Sequence, residues 1–356
     1  MWLLKTKIPI VLVSLFLLSA SCNPFKTPTV AGVVKTTNGG VDWMGVNTVK
    51  DGNLTLASLN VAKMEFDPKN REHLFVSGFN DGIYKSEDSG TSWSRILSKI
   101  WTYDFVIHPF NSNIIYAGGY FADKGRLVKT TDGGKSWEEV YSEAVSGVAV
   151  RTAAINPQLP NQIVLGNSAG NVVYSADEGK SWKLIKNFED RVNKILWQNN
   201  TMYVLLRTKG LYKLSNLETG EFENLTGNLT NQSGFLENFS GLNEQAFNQV
   251  YIDKTSPLLI YLTAGKGVFK SLNEGKNWEK INLPGKQSSE LPARAITLAK
   301  TTSNIVMLSV GNVIYRSTDG AKTWQTQAVQ TSGFVNYLLI DPQLPQVVYA
   351  GNYVSQ

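Results

Sequence analysis

The sequence predicts an all-β protein: a seven-bladed propeller of four-stranded blades, its ring closed by N-terminal strands pairing with C-terminal strands. Three observations predict it. A nine-residue motif ending in tryptophan recurs at nearly constant spacing. Two short hydrophobic strands with turn residues precede most copies. Each end of the chain holds only half a unit.

The copies are KTTNGGVDW (Lys35–Trp43), KSEDSGTSW (Lys85–Trp93), KTTDGGKSW (Lys129–Trp137), YSADEGKSW (Tyr174–Trp182), KSLNEGKNW (Lys270–Trp278) and RSTDGAKTW (Arg316–Trp324). Consecutive copies lie 44–50 residues apart, except for one double interval between Trp182 and Trp278. Midway through that interval lies LYKLSNLETGEFENL, a decayed copy with Phe222 in the tryptophan place, which makes seven units. A unit of ~40–50 residues with four strands matches a propeller blade.

Upstream of the motif, stretches such as KMEFDPKNREHLFVSG and DFVIHPFNSNIIYAGG read as strand, turn, strand. After Trp324 only two strands remain, and the segment Ala31–Val46 supplies the other two. Together they complete one blade and remove the open sheet edges. The expected blades are approximately 57–97, 101–141, 147–187, 190–226, 246–282, 293–328, and 335–354 with 30–46.

Within the motif, Asp88, Asp132, Asp177 and Asp319 are expected to accept hydrogen bonds from turn N–H groups, and Asn38 and Asn273 to do so without charge. Gly90, Gly134, Gly179 and Gly275 suit a position with positive φ, while Gly320 falls one residue early. Trp43, Trp93, Trp137, Trp182, Trp278 and Trp324 should pack between neighbouring blades. The motif resembles the Asp-box, or bacterial neuraminidase repeat, of the sialidase-like superfamily. That resemblance implies a fold and assigns the acids a structural role. One acid per blade, replaced by Asn twice, suits neither paired catalysis nor a metal site.

Residues 1–21 read as an export leader: Lys5 and Lys7, an apolar run Ile8–Leu18, then small residues before Cys22. The arrangement resembles a bacterial lipoprotein signal, which implies lipid on Cys22, a tether over 22–29, and anchoring at the cell envelope. Cys22 is the only cysteine, so no disulfide or thiol chemistry is expected. A net charge of +5, two lysines of it in the leader, and no basic run argue against nucleic acid. The two histidines, His73 and His108, form no metal or triad pattern, and no cofactor is expected. His108 sits where other units have Asp67 or Asp341, as a turn residue.

Strand 2–3 loops and inter-blade connections share one face, opposite the Asp-boxes, and that face is the expected binding surface. It should carry Phe79, Asp81, Trp101, Tyr103, Arg151, Arg191 and Arg294, with Tyr120, Phe121, Asp123, Lys124 and Arg126 on Gly118–Arg126, read as the longest strand 2–3 loop. Aromatic residues mixed with arginine and carboxylates suit a protein or a sugar. Length, leader and blade count resemble the photosystem II stability/assembly factor group, which implies a non-enzymatic scaffold binding a protein partner at the envelope. The alternative is a glycan-binding or glycoside-hydrolysing propeller of sialidase or xyloglucanase type. Asp81, Asp123, Glu189 and Asp190 are the carboxylates on the correct face, but the sialidase Arg-Ile-Pro motif is missing.

Overall fold

A computed structural model describes residues 32–354, apart from 51, 53, 99, 218, 231–246, 254–255, 266, 286–290 and 332. The leader, Cys22 and the tether lie outside the described residues. The chain folds into seven four-stranded antiparallel sheets set in a ring, which is a seven-bladed β-propeller. Blades 1 to 6 follow the chain: 61–97, 101–142, 150–187, 192–224, 247–281 and 293–328. Blade 7 takes its two inner strands, Phe334–Ile340 and Val348–Tyr353, from the end of the chain. Its outer strands, Val33–Thr36 and Met44–Gly45, come from the beginning. Val33 to Thr36 pair in order with Gly351 to Val348, so the ring closes as the half-units require.

Short strands of β-branched and aromatic residues bury both faces, because each blade is sandwiched between two others. The core is therefore divided among the blade junctions. One cluster joins Val33 and Tyr349 of blade 7 to Val61, Met64 and Trp93 of blade 1. Another joins Phe75 and Ile83 of blade 1 to Phe105 and Ile115 of blade 2.

The repeated motif is the turn between strands 3 and 4 of each blade. In blade 2 the Asp132 carboxylate accepts from Thr130 Oγ1, Lys135 N, Ser136 N and Ser136 Oγ at 2.5–2.9 Å. Thr130 Oγ1 in turn accepts from Gly134 N at 2.9 Å. Asp177 and Asp319 repeat the pattern, and Asn273 reproduces its uncharged part. Both residues after the acid have positive φ, at Ser89 and Gly90 for example, or Glu178 and Gly179. In blade 6 Gly320 takes the first place and Ala321 the second, with φ 72°.

The tryptophans reach across the junctions. The indole Nε1 of Trp93 donates to Val46 O, that of Trp137 to Ile96 O and that of Trp182 to Val140 O, each at 2.8 Å on the preceding blade. Trp278 donates to Leu225 O at 2.9 Å. In blade 4 Phe222 meets Phe188 of blade 3 edge to face, with centroids 4.9 Å apart, so it fills the tryptophan place without the hydrogen bond.

On the hairpins between strands 1 and 2, Asp67 Oδ1 accepts from Lys69 N, and His108 Nδ1 accepts from Phe110 N and Asn111 N. His108 is thus the turn residue its position suggests. Arg71 of blade 1 pairs with Asp341 of blade 7 at 2.6 Å, and Ser112 of blade 2 donates to Asp67 of blade 1 at 2.5 Å.

Candidate functional site

The site is built on a β-bulge repeated in all seven innermost strands. The pairing register shifts between Val61 and Lys63, Thr102 and Asp104, Val150 and Thr152, and Val192 and Lys194. It shifts at the same place between Phe247 and Gln249, Ala293 and Ala295, and Val335 and Tyr337. A bulge re-aims the extra side chain and bends the strand. Here the extra residue falls at the channel mouth in every blade and is Tyr103, Arg151, Asn193, Asn248, Arg294 or Asn336, with Ala62 in blade 1.

Three of these residues clasp the next blade: Asn193 Nδ2 donates to Phe247 O, Asn248 Nδ2 to Ala293 O and Asn336 Nδ2 to Val61 O. Tyr103 and Arg151 belong to a polar and aromatic corner that runs from blade 7 past blades 1, 2 and 3 to blade 4. The Arg151 guanidinium stacks 4.0 Å from the centre of the Tyr103 ring. Tyr103 meets Phe79 at 6.0 Å between centroids, and Phe79 meets Tyr353 edge to face at 5.6 Å. Beside Arg151 stand Arg191 and Arg207; burial, then the charges of Arg151 and Arg207, push the Arg191 guanidinium down to about 10. Arg191 Nε donates to Asn193 Oδ1 at 2.9 Å. Arg191 Nη2 and Arg151 Nε are buried with no hydrogen-bond partner. Unsatisfied buried guanidinium donors beside one another favour an anion.

Below this corner the next side chains into the channel form an ion network. The Asp104 carboxylate is buried and accepts from Thr152 Oγ1 at 2.7 Å. It pairs with Lys63 at 3.1 Å and Lys194 at 3.0 Å. Four successive blades thus contribute one side chain each. Burial alone would raise the Asp104 carboxyl, but Lys194 and Lys63 hold it down to about 2. Burial alone would lower Lys63, but Asp104 and Glu65 outweigh it and hold its ammonium above the ordinary lysine range. Lys194 shares Asp104 with Lys63, and burial with that neighbouring charge leaves it below the range. The network joins the four blades.

The structure brings Phe79, Tyr103, Arg151 and Arg191 together. Arg294 occupies the same register in blade 6, across the channel from blade 3, with its guanidinium 4.8 Å from the Phe334 ring centre. Arg207, absent from the sequence-based set, takes the place beside Arg191.

Gly118–Arg126 is not a long loop. Strands Ile115–Phe121 and Lys124–Thr130 pair up to Phe121 and Lys124, and Ala122 and Asp123, at φ 47° and 71°, make a two-residue turn. Gly118 and Gly119 mark close packing rather than a turn: a Cβ on Gly119 would lie 2.0 Å from Trp101 O. The projecting hairpin carries Tyr120, whose ring stands 6.1 Å from that of half-exposed Trp101. On it Arg126 lies over the Phe121 ring and pairs with Glu139.

The carboxylates proposed for glycoside chemistry are tied into turns. Asp81 accepts from Gly82 N and Tyr84 OH, and Asp190 from Thr208 N, Thr208 Oγ1 and Lys209 N. Asp123 accepts from Ser146 Oγ at 3.2 Å, and Glu189 sits at φ 52° beside Asp190. Among the described residues no group of three or more histidine, cysteine or acidic side chains is placed to hold a metal.

Residues 81–250 match the model of the Sortilin-Vps10 family, described as sortilin, neurotensin receptor 3. The chain is 28% identical over 113 residues to a vacuolar protein sorting/targeting protein 10 of Verticillium alfalfae, covering 29% of this chain and 7% of that protein. It is 27% identical over 154 residues to a probable oligoxyloglucan-reducing end-specific xyloglucanase of Neosartorya fischeri, covering 38% and 18%. The matches thus span less than a fifth of either relative. Among solved structures, the GH74 xyloglucanase of Xanthomonas campestris superposes with a TM-score of 0.66 at 14% identity, over 83% of this chain and 51% of that one. A structure of YCF48 bound to D1 peptide gives 0.60 at 17% identity, over 84% and 93%. YCF48 from Cyanidioschyzon merolae gives 0.60 at 12%, over 83% and 96%. At these identities the likeness is one of fold.

Proposed function

We propose that this chain is an exported, lipid-anchored binding scaffold whose channel mouth grips a carboxylate-bearing segment of a protein partner. The observation that carries the reading is the pair of buried, unpartnered guanidinium donors on Arg151 and Arg191, beside Arg207 and the wall of Tyr103, Phe79 and Tyr353. A peptide carboxylate satisfies those donors, and the aromatic rings take an apolar neighbour. The Asp-box-like turns hold the scaffold rigid from the opposite face. Supporting the reading at the level of fold, YCF48 spans nearly the same length and has been solved with a peptide.

The test is a pull-down from envelope membranes followed by titration of the recovered partner. Arg151→Gln with Arg191→Gln is expected to weaken binding at least about tenfold while leaving the melting temperature unchanged. Unchanged affinity in the double variant overturns the assignment of the mouth. Release of sugar from xyloglucan by the purified chain overturns the non-enzymatic reading.

A glycan is the second reading. It rests on Trp101, 50% exposed, beside Tyr120 on the projecting hairpin. Trp101→Ala then abolishes retention on a glycan column, and Arg151→Gln leaves it intact.

A further inference from the structure

Four of the seven blade junctions share a lock near the turn motif. A lysine on strand 3 and the tyrosine opposite it on strand 2 both reach the residue after the turn acid of the next blade. From blade 7, Lys35 Nζ and Tyr349 OH donate to Ser89 O at 2.9 and 2.8 Å. From blade 2, Lys129 Nζ donates to Glu178 Oε2 at 3.0 Å and Tyr116 OH to Glu178 O at 3.2 Å. From blade 4, Lys213 and Tyr203 reach Glu274 Oε1 at 2.7 and 3.0 Å. From blade 5, Lys270 and Tyr261 reach Gly320 O at 3.0 and 3.5 Å.

The junction of blades 1 and 2 lacks this lock, as do those of blades 3 and 4, where Tyr174 stands opposite Val164, and of blades 6 and 7, where Arg316 stands opposite Met307. Between blades 1 and 2 the pair is Lys85 and Phe75. Phe75 has no hydroxyl, and Lys85 turns to Glu87 at 2.6 Å. A cavity of about 550 Å³ opens at the gap, lined by Lys50, Lys85, Lys135, Asn113, Ser94 and Gly133 among others.

Three lysines outnumber the two carboxylates, Glu87 and Asp132, on its wall. The Asp132 carboxylate accepts from four uncharged donors of its own turn, and Glu87 pairs with Lys85. Lys50 and Lys135 bring two further ammonium groups, and Ile96 is the one large apolar lining side chain. Lysine ammonium groups around a polar cavity suit a compact, highly charged oxyanion, whereas a neutral ligand would find little apolar surface.

We propose that this cavity is a binding site for a small phosphorylated or sulfated ligand, held by Lys50, Lys85 and Lys135. The anion takes Lys85 from Glu87 and fills the place where four other junctions carry their lock. The site lies on the turn-motif face, opposite the channel mouth, so it is independent of the partner site proposed above.

The test is lysine acetylation of the folded full-length protein, read by mass spectrometry, with inorganic phosphate, inorganic sulfate or glucose 6-phosphate against sodium chloride at equal ionic strength. Expected is several-fold slower modification of Lys50, Lys85 and Lys135, while Lys180, which holds the place of Lys135 in blade 3, is unaffected. A stronger effect of glucose 6-phosphate than of phosphate assigns an ester; equal effects assign the free ion. The variant Lys50→Gln with Lys135→Gln should lose the stabilisation that the protecting anion gives to wild type in a thermal melt. Equal modification with and without the oxyanions, or an undiminished thermal shift in the variant, overturns the proposal.

Discussion

Val33 stands opposite Gly351 in an antiparallel pair, and that pair seals the ring. On its other face Gly351 leaves no room: a Cβ there would lie 2.4 Å from Val61 Cγ1 and 2.7 Å from Val61 Cβ, on blade 1. Gly351→Ala is therefore expected to cost about 1–3 kcal/mol, because a buried β-branched residue cannot yield without moving its strand. Chemical denaturation checks this, as a lower midpoint at an unchanged slope.

Asp104 binds two lysines from two other blades in the channel. Asp104→Ala leaves both ammonium groups buried without their carboxylate and is expected to cost about 3–5 kcal/mol at neutral pH. The acid limb follows the same residue. Its carboxyl, near 2 in the folded protein against 3.8 ordinarily, adds stability that is full above about pH 4 and lost as pH falls toward 2. Acid-unfolding curves should show a shallower decline over that interval for Asp104→Asn than for wild type.

The tryptophans of the repeat are not equal. Trp93 Nε1 donates to Val46 O, whereas Trp324 Nε1 is buried with no partner. Trp93→Phe should thus destabilise by about 1 kcal/mol more than Trp324→Phe, since only the first leaves a carbonyl unmatched. Paired thermal melts measure the difference.

Ala321 holds φ 72° where the other motif turns have glycine. Ala321→Gly relieves that strain, and a gain of about 0.5–1 kcal/mol is expected despite the looser unfolded chain. An unchanged or lower denaturation midpoint would show that the Ala321 methyl, which packs against the core shared by blades 5 and 6, outweighs its backbone cost.

The ring and its turns were legible because each depends on a local pattern. A Ser or Thr, an acid two residues on and a tryptophan five later make one self-contained turn, so each copy announces a blade. The channel was not legible in that way. Lys63, Asp104, Thr152 and Lys194 come from four blades, and each looks like an ordinary outward residue of its own strand. A signal does exist: Tyr103–Asp104, Arg151–Thr152 and Asn193–Lys194 place two non-aliphatic residues in succession inside a strand, which breaks the alternation and marks a bulge. Gly118–Gly119 misled for a related reason. Paired glycines usually signal a turn, but here they let Val150 and the Trp101 backbone come close. Arg207 follows a buried strand end and carries no motif, so only the fold could set it beside Arg191.

The closing sheet also dictates an order of events during synthesis. The strand Val33–Thr36 emerges early, yet its inner neighbour Val348–Tyr353 is made only after the strands of the six other sheets. Until then its hydrogen-bonding edge is bare, and the nascent chain carries an open template for mispairing. A chain stalled before Val348 is therefore expected to aggregate through its head, even with six blades in place.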